Sequence, residues 1–118
     1  MNYEDLQLYC SSKKGVTEEF PFDESTLVFK VMGKAFALSG LNEVEARVNL
    51  KCDPDRAIEL REEYSDIIPG FHMNKKHWNT VYLERELHDS FIKELIDHSY
   101  DMVVAKMTKK LREELQNL

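Results

Sequence analysis

Glycine, proline and cysteine are scarce in this chain, with 4 Gly, 3 Pro and 2 Cys among 118 residues. So few glycines, all at turn-like positions, leave nothing from which to build a Gly-rich phosphate loop. The prolines do not cluster, and no linker, repeat or low-complexity tract occurs. Cys10 and Cys52 lie in unrelated contexts, outside any CxxC pair, and each falls on an expected apolar face. Structural thiols are therefore expected rather than a disulfide or metal site. No run approaches the ~20 apolar residues that span a bilayer. The opening MNYEDLQLYC is acidic and periodic, without the basic and apolar blocks of a signal peptide, so a cytoplasmic location with no membrane partner is expected. Positive charge is also in deficit: 16 Lys and Arg against 22 Asp and Glu leave a net charge of −6, which opposes generic binding to polyanions.

What is present fits one domain spanning 1–118, since this length is close to the commonest domain size and 42% of the residues are hydrophobic. Asn2 followed by Asp5, with Tyr3, Leu6 and Cys10 at helical spacing, predicts a first helix to about Ser12, closed by Lys13, Lys14 and Gly15. The period then changes to two. Phe20 and Phe22 are expected on one strand face, with Pro21 marking an edge position. Leu27, Phe29 and Val31 define a second strand and Ala35–Ser39 a third, joined by the turn signal Met32-Gly33-Lys34. Val44, Ala46, Val48, Leu50 and Cys52 alternate with Glu45, Arg47, Asn49 and Lys51 in a fourth. Asp53-Pro54 starts a helix reaching about Ser65. Trp78–Leu83 alternates as a last strand, and helical spacing runs from Phe91 to Leu115, with a bend near His98-Ser99 or a fresh cap at Thr108. The expected class is α+β, an antiparallel sheet flanked by helices in the order α-β-β-β-β-α-β-α.

Chemistry concentrates in Pro69–Leu83, PGFHMNKKHWNTVYL, which lies in an acid-free stretch from Ile67 to Tyr82. His72, Asn74, Lys75, Lys76, His77, Trp78 and Asn79 place donors and an aromatic ring in one window. Lysines there can neutralise phosphates, and Trp78 or Phe71 can stack on a base. The competing structural reading is a solvated loop in which Phe71 and Trp78 anchor the sheet to the C-terminal helix. Lys30, Lys34, Arg47 and Lys51 are expected on the polar sheet face, diluted by Glu43 and Glu45. His72 and His77 alone do not make a metal site, which needs three or four converging ligands. No HExxH or GxSxG pattern occurs, and Ser99 and Cys52 have no neighbour marking them as nucleophiles. No catalytic residue, metal or cofactor is assigned.

Blocks spread along the chain carry a resemblance: Pro21-Phe22-Asp23, Phe29-Lys30-Val31 with Gly33–Ala37, Val48–Pro54, Ile68–Val81 containing PGFHMNKKHWN, and Asp97-His98-Ser99-Tyr100. In these the chain resembles the MmcQ/YjbR family of small bacterial proteins. The resemblance implies a CyaY/frataxin-like α+β fold and a non-enzymatic, DNA-binding role with a "double wing" arrangement. It carries His72, Asn74, Lys75, Lys76, His77 and Trp78 as candidate DNA contacts; on the residue reading, Asn79 and the sheet-face lysines Lys30, Lys34 and Lys51 are expected to assist. Binding is then expected to be weak and salt-dependent. Two other readings of the same surface are a module recognising an acidic protein partner, and a small-molecule pocket beneath His72 and His77. The frataxin comparison brings no iron site, since the first helix has only Glu4 and Asp5 as acids. Thr108 stands where many relatives are expected to carry proline.

Overall fold

A computed structural model describes all of residues 1–118. A capping box opens the chain, the Asn2 side chain accepting the Asp5 N–H at 2.8 Å and the Asp5 carboxylate accepting that of Asn2 at 3.2 Å. It starts α1 (Tyr3–Ser11), which buries Leu6 and Cys10. A meander of β1 (Val16–Glu19), β2 (Thr26–Val31), β3 (Lys34–Gly40) and β4 (Arg47–Lys51) follows. Its β2–β3 turn holds Met32 at φ 48° and Gly33 at φ 81°, the two left-handed positions that match a hairpin to strand twist. Asp53 accepts the Arg56 N–H at 3.1 Å and caps α2 (Pro54–Glu63), with Pro54 in the first turn, where no backbone donor is needed. Then come β5 (Ile67–Pro69), β6 (Trp78–Tyr82), α3 (Asp89–Ala105) and α4 (Lys109–Gln116). The strands form one six-stranded sheet in the order β1-β2-β3-β4-β6-β5, antiparallel throughout.

All four helices cover the same face. Leu6 of α1, Leu60 of α2, Ile92 and Ile96 of α3 and Leu115 of α4 join Leu27, Phe29, Val31, Val48, Leu50 and Val81 in a single core cluster. The register of β2 and β3 shifts after Phe29, making Phe36 the extra residue of a bulge. The bulge turns Phe36 into the core, where its ring lies 6.5 Å from Phe29 and 5.5 Å, edge-on, from Tyr100. Burying a side chain of this size stabilises by ~1.5–3 kcal/mol. Cys10 and Cys52 are free and buried, and burial pushes both thiols up, Cys10 to about 12.

Three expectations need correction, and one alternative is decided. Phe20 and Phe22 are not in a strand: β1 ends at Glu19, and the rings are 50% and 74% exposed. Pro21 offers no ladder donor, and the Asp23 carboxylate takes the N–H groups of Ser25 (2.9 Å) and Thr26 (2.7 Å), turning the chain into β2. Val44 is fully exposed, because β4 begins only at Arg47 and pairs with β3 solely through Ala37–Leu50 and Leu38–Asn49. The three residues of β5 are an additional strand, too short to show a period. Of the two alternatives for the C-terminal helix, the fresh cap holds: α3 runs unbroken through His98-Ser99, and the Thr108 side chain caps α4 by accepting the Leu111 N–H at 3.2 Å. No helix is long and apolar enough to cross a membrane.

Candidate functional site

Because every helix lies on one side, the other side of the sheet is floored by the alternate strand residues, and the strand registers order them in rows. Lys51 of β4 lies opposite Trp78 of β6, and Ala35 of β3 opposite Lys30 of β2, at the end carrying the β2–β3 turn. A middle row contains Thr80, Asn49, Leu38, Val28 and Glu19. At the far end Tyr82 pairs with Arg47 and Gly40 with Thr26. Trp78 and Phe71 are therefore on the helix-free face and outside the hydrophobic core cluster, so neither anchors the sheet to the C-terminal helix.

The Gly70–His77 loop is fastened to this face by side chains rising from the sheet and from α2. The Phe71 N–H is accepted by Thr80 Oγ1 at 2.9 Å, and its carbonyl accepts Asn49 Nδ2 at 3.0 Å. The Thr80 hydroxyl donates to Asn49 Oδ1 at 2.5 Å, tying the two latches together. Arg61 of α2 donates through Nε to Asn79 Oδ1 at 2.6 Å and through Nη2 to the carbonyls of Lys75 and Trp78. Gly70 has no room for a side chain: a Cβ there would stand 2.8 Å from Trp78 Cβ and 2.9 Å from its carbonyl oxygen.

These bonds sort the candidate residues. Asn79 is buried, donates to the Ala57 carbonyl at 3.4 Å and helps hold α2 to β6. Asn74 Oδ1 accepts the N–H groups of Lys76 (2.9 Å) and His77 (3.2 Å) and shapes the turn. Lys75 Nζ donates to the Gly70 carbonyl at 2.8 Å, so its charge is turned back onto its own loop. His77 is half-buried, with Nδ1 buried and without a hydrogen-bond partner, while its carbonyl accepts the Cys52 N–H at 2.8 Å. Lys76 and His72 are exposed, and His72 sits at φ 59°, a strained position for a non-glycine residue.

One depression lies on this face and a second lies at its edge, where the end of α3 reaches the β2–β3 turn. The first, of about 510 Å³, lies between the loop after β1 and the loop after β5. Phe22 and Asp23 stand on one side, Phe71, His72 and Met73 on the other, over a floor that includes Ala35, Leu38, Arg47 and Asn49. The Arg47 guanidinium lies 4.5 Å from the centre of the Phe71 ring and pairs with Glu43 at 3.0 Å. His72 contributes to this cleft and His77 does not. The second depression, of about 470 Å³, is lined by Lys30, Lys34, Lys51 and Lys106 together with Gly33, Ala35, Val103 and Met107. Burial, and then the Lys106 ammonium, lower the pKa of Lys51. Lys30 is the one member paired with a carboxylate, Glu19 at 3.4 Å. The two depressions meet at Ala35.

Lys30, Lys34 and Lys51 are thus brought together as expected, whereas Arg47 belongs to the aromatic cleft. Lys106 joins them from a distant part of the sequence, more than 50 residues beyond Lys51. Only the crossing of α3 over the sheet, which ends beside the β2–β3 turn, puts it next to Lys51. No group of three or more His, Cys, Asp or Glu side chains is placed to hold a metal ion.

A six-stranded antiparallel sheet with helices on one face and loop-bordered depressions on the other defines a small α+β domain class. Comparison with known proteins narrows it. The YjbR family model matches residues 11–102, and the chain belongs to that family. It is 38% identical to Escherichia coli K12 YjbR over the full length of both proteins, and 28% identical to Bacillus subtilis YyaQ over 84% of this chain and 95% of that one. Both relatives are described as uncharacterized. The crystal structure of a Deinococcus radiodurans protein carrying family-model domain DUF419 superimposes with a TM-score of 0.90 at 40% identity, covering 98% of this chain and 88% of that one. A Pseudomonas syringae crystal structure gives a TM-score of 0.76 at 28% identity over 86% of this chain and 98% of its own.

Proposed function

We propose that this domain binds DNA non-enzymatically through its helix-free sheet face and the adjoining rim, where the end of α3 meets the β2–β3 turn. The observation that carries the reading is the second depression, in which four of eight lining residues are lysines and none is acidic. Lys30, Lys34, Lys51 and Lys106 contact phosphates there, and Lys76 adds a further cation from the neighbouring loop. Trp78, paired opposite Lys51, and the exposed His72 border the same surface. Asn74, Lys75 and Asn79 take a different role from the one their residue types imply, holding the loop in place rather than touching the ligand.

Four phosphate contacts set a magnitude. Counterion release makes affinity fall with a log–log slope of about −3 to −4, a loss on the order of 100-fold between ~50 and ~200 mM salt. Fluorescence anisotropy with labelled DNA of mixed sequence, at those two salt concentrations, tests this. Lys34 and Lys106 are exposed, so the double variant Lys34→Ala with Lys106→Ala is expected to fold normally. It should weaken binding and reduce the slope by about 1.5. An unchanged affinity and slope would overturn the reading. Competition by polyglutamate as effective as that by unlabelled DNA would assign the surface to an acidic protein partner instead.

A further inference from the structure

We propose that the cleft beside the lysines receives one unstacked base of a single-stranded DNA, an inference that rests on the DNA-binding reading above. The cleft volume of about 510 Å³ falls within the ~300–1,000 Å³ typical of small-ligand pockets. Two separate loops each present an aromatic ring to it, Phe22 at 74% exposure and Phe71 at 44%. Rings left so open to water on a sheet face are what stacking on a base would cover.

The Phe71 wall is preorganised. Its backbone N–H and carbonyl are both held by side chains of the sheet, and its ring lies against the Arg47 guanidinium. His72 follows in a left-handed conformation, its ring edge-on to Phe71 at 5.4 Å between centres. Backbone strain of this kind costs on the order of 1–3 kcal/mol and persists only where the surroundings hold it. Here the surroundings that hold it are the Asn49–Thr80 latch under the preceding residue.

Charge divides the ligand between the two depressions. Asp23 and Glu43 line the aromatic cleft, Asp23 with its carboxyl held below the usual range by the Ser25 and Thr26 N–H groups. Arg47 is already paired with Glu43. That lining repels a phosphate and tolerates a neutral base, whereas the lysine-lined depression does the reverse. Since the two share Ala35, base and phosphate sites adjoin as they do within one nucleotide. A base in duplex DNA keeps its faces stacked and would have to be extruded to enter, which disfavours duplex as the ligand.

The test is an anisotropy titration of the full chain at low salt. Its probes are a labelled single strand of about ten nucleotides, the same strand carrying abasic sites throughout, and the matched duplex. Phe22 is exposed enough for Phe22→Ala to fold as the parent does, with circular dichroism as the check. The single strand should bind more tightly than the duplex or the abasic strand. Phe22→Ala should weaken the single strand alone, by about 5- to 100-fold. If duplex and abasic strands bind as tightly as the single strand and Phe22→Ala changes nothing, while the Lys34/Lys106 double variant weakens all three, the base site is wrong and DNA binding stands. If no DNA binds at low salt, both readings are overturned. Competition by free thymidine monophosphate as effective as that by the oligonucleotide overturns the polymeric occupant.

Discussion

Ser99 offers the sharpest test of how this face is held together. It sits in the middle of α3, fully buried, and its hydroxyl reaches across to two strands. Oγ donates to the Phe36 carbonyl at 2.5 Å and accepts the Lys51 N–H at 2.8 Å. Those backbone groups lie where the β3–β4 ladder stops after Ala37–Leu50 because of the Phe36 bulge, so the serine replaces the missing rung. Ser99→Ala removes two hydrogen bonds, which costs ~1–3 kcal/mol in all where the freed donor and acceptor find water and ~2–6 kcal/mol where they stay dry. A destabilisation of about 2–4 kcal/mol follows, or a Tm lower by about 8–16 °C for a chain of this size. Ser39 supplies the internal control. It is equally buried but makes one bond, to the Arg47 carbonyl at 2.8 Å, so Ser39→Ala should cost about half as much. Urea denaturation of the parent and both variants measures this as shifts of midpoint at constant slope, roughly 1–2 M for Ser99→Ala. A Ser99→Ala midpoint no lower than that of Ser39→Ala would refute the bridging role.

Two further outcomes follow from the geometry. Arg61→Lys keeps the charge but cannot reach Asn79 and two carbonyls with one ammonium; a loss of about 1–2 kcal/mol is expected. Hydrogen exchange should show the His77 and Trp78 amides, bonded to Asn74, losing protection, and unchanged protection would contradict the latch. His98 should set the upper limb of the pH–stability curve. Its Nε2 accepts the Asp53 N–H at 3.1 Å, and burial, then Arg56, hold its pKa below the ordinary 6.5 against the opposing pull of Asp53 and Asp101. The neutral ring is the folded form, so its stabilisation is complete above pH 6.5 and is lost as pH falls toward the lower folded value. Asp23, Glu45 and Asp97, whose pKa values are lowered, give a separate loss at more acid pH. Guanidinium denaturation from pH 7.5 downward should show His98→Gln without the first limb and with the second; a first limb surviving in the variant would rule the assignment out.

Legibility in the sequence followed how local the determining physics is. The alternation from Ala46 to Cys52, the Asp53-Pro54 cap and the Met32-Gly33 turn are decided by residues a few positions apart, and each stands where the pattern puts it. Val44 shows the limit: it continues the alternation, yet β3 offers it no partner, and an unpaired strand end is left in solvent. Within Pro69–Leu83 the residue types signalled polar contacts without saying to whom. Asn79 meets Arg61 and Lys75 meets Gly70, and those partners come from loop closure and the docking of α2, which no period encodes. Lys106 joins Lys30, Lys34 and Lys51 because α3 ends beside the β2–β3 turn, a tertiary placement that no local pattern encodes. The family signature therefore marks a structural latch, with the side chains of Asn49, Arg61, Asn74 and Thr80 holding the loop.

The net charge of −6 and the proposed DNA-binding face are compatible once the charges are placed. Arg85 pairs with Glu45 at 2.6 Å, Lys13 with Asp97 at 2.5 Å and Arg47 with Glu43 at 3.0 Å, pairs in which cation and acid neutralise one another locally. Lys34, Lys51 and Lys106 are left without a carboxylate partner and converge on one depression. At physiological ionic strength the Debye length is about 8 Å, so acids on distant parts of the surface contribute little to the potential inside that depression. Contact energy is then set by the converging lysines, whereas the overall charge governs long-range approach and slows encounter with a polyanion. A domain built this way would bind weakly and release readily, with affinity concentrated at the few positions where cations and exposed rings adjoin.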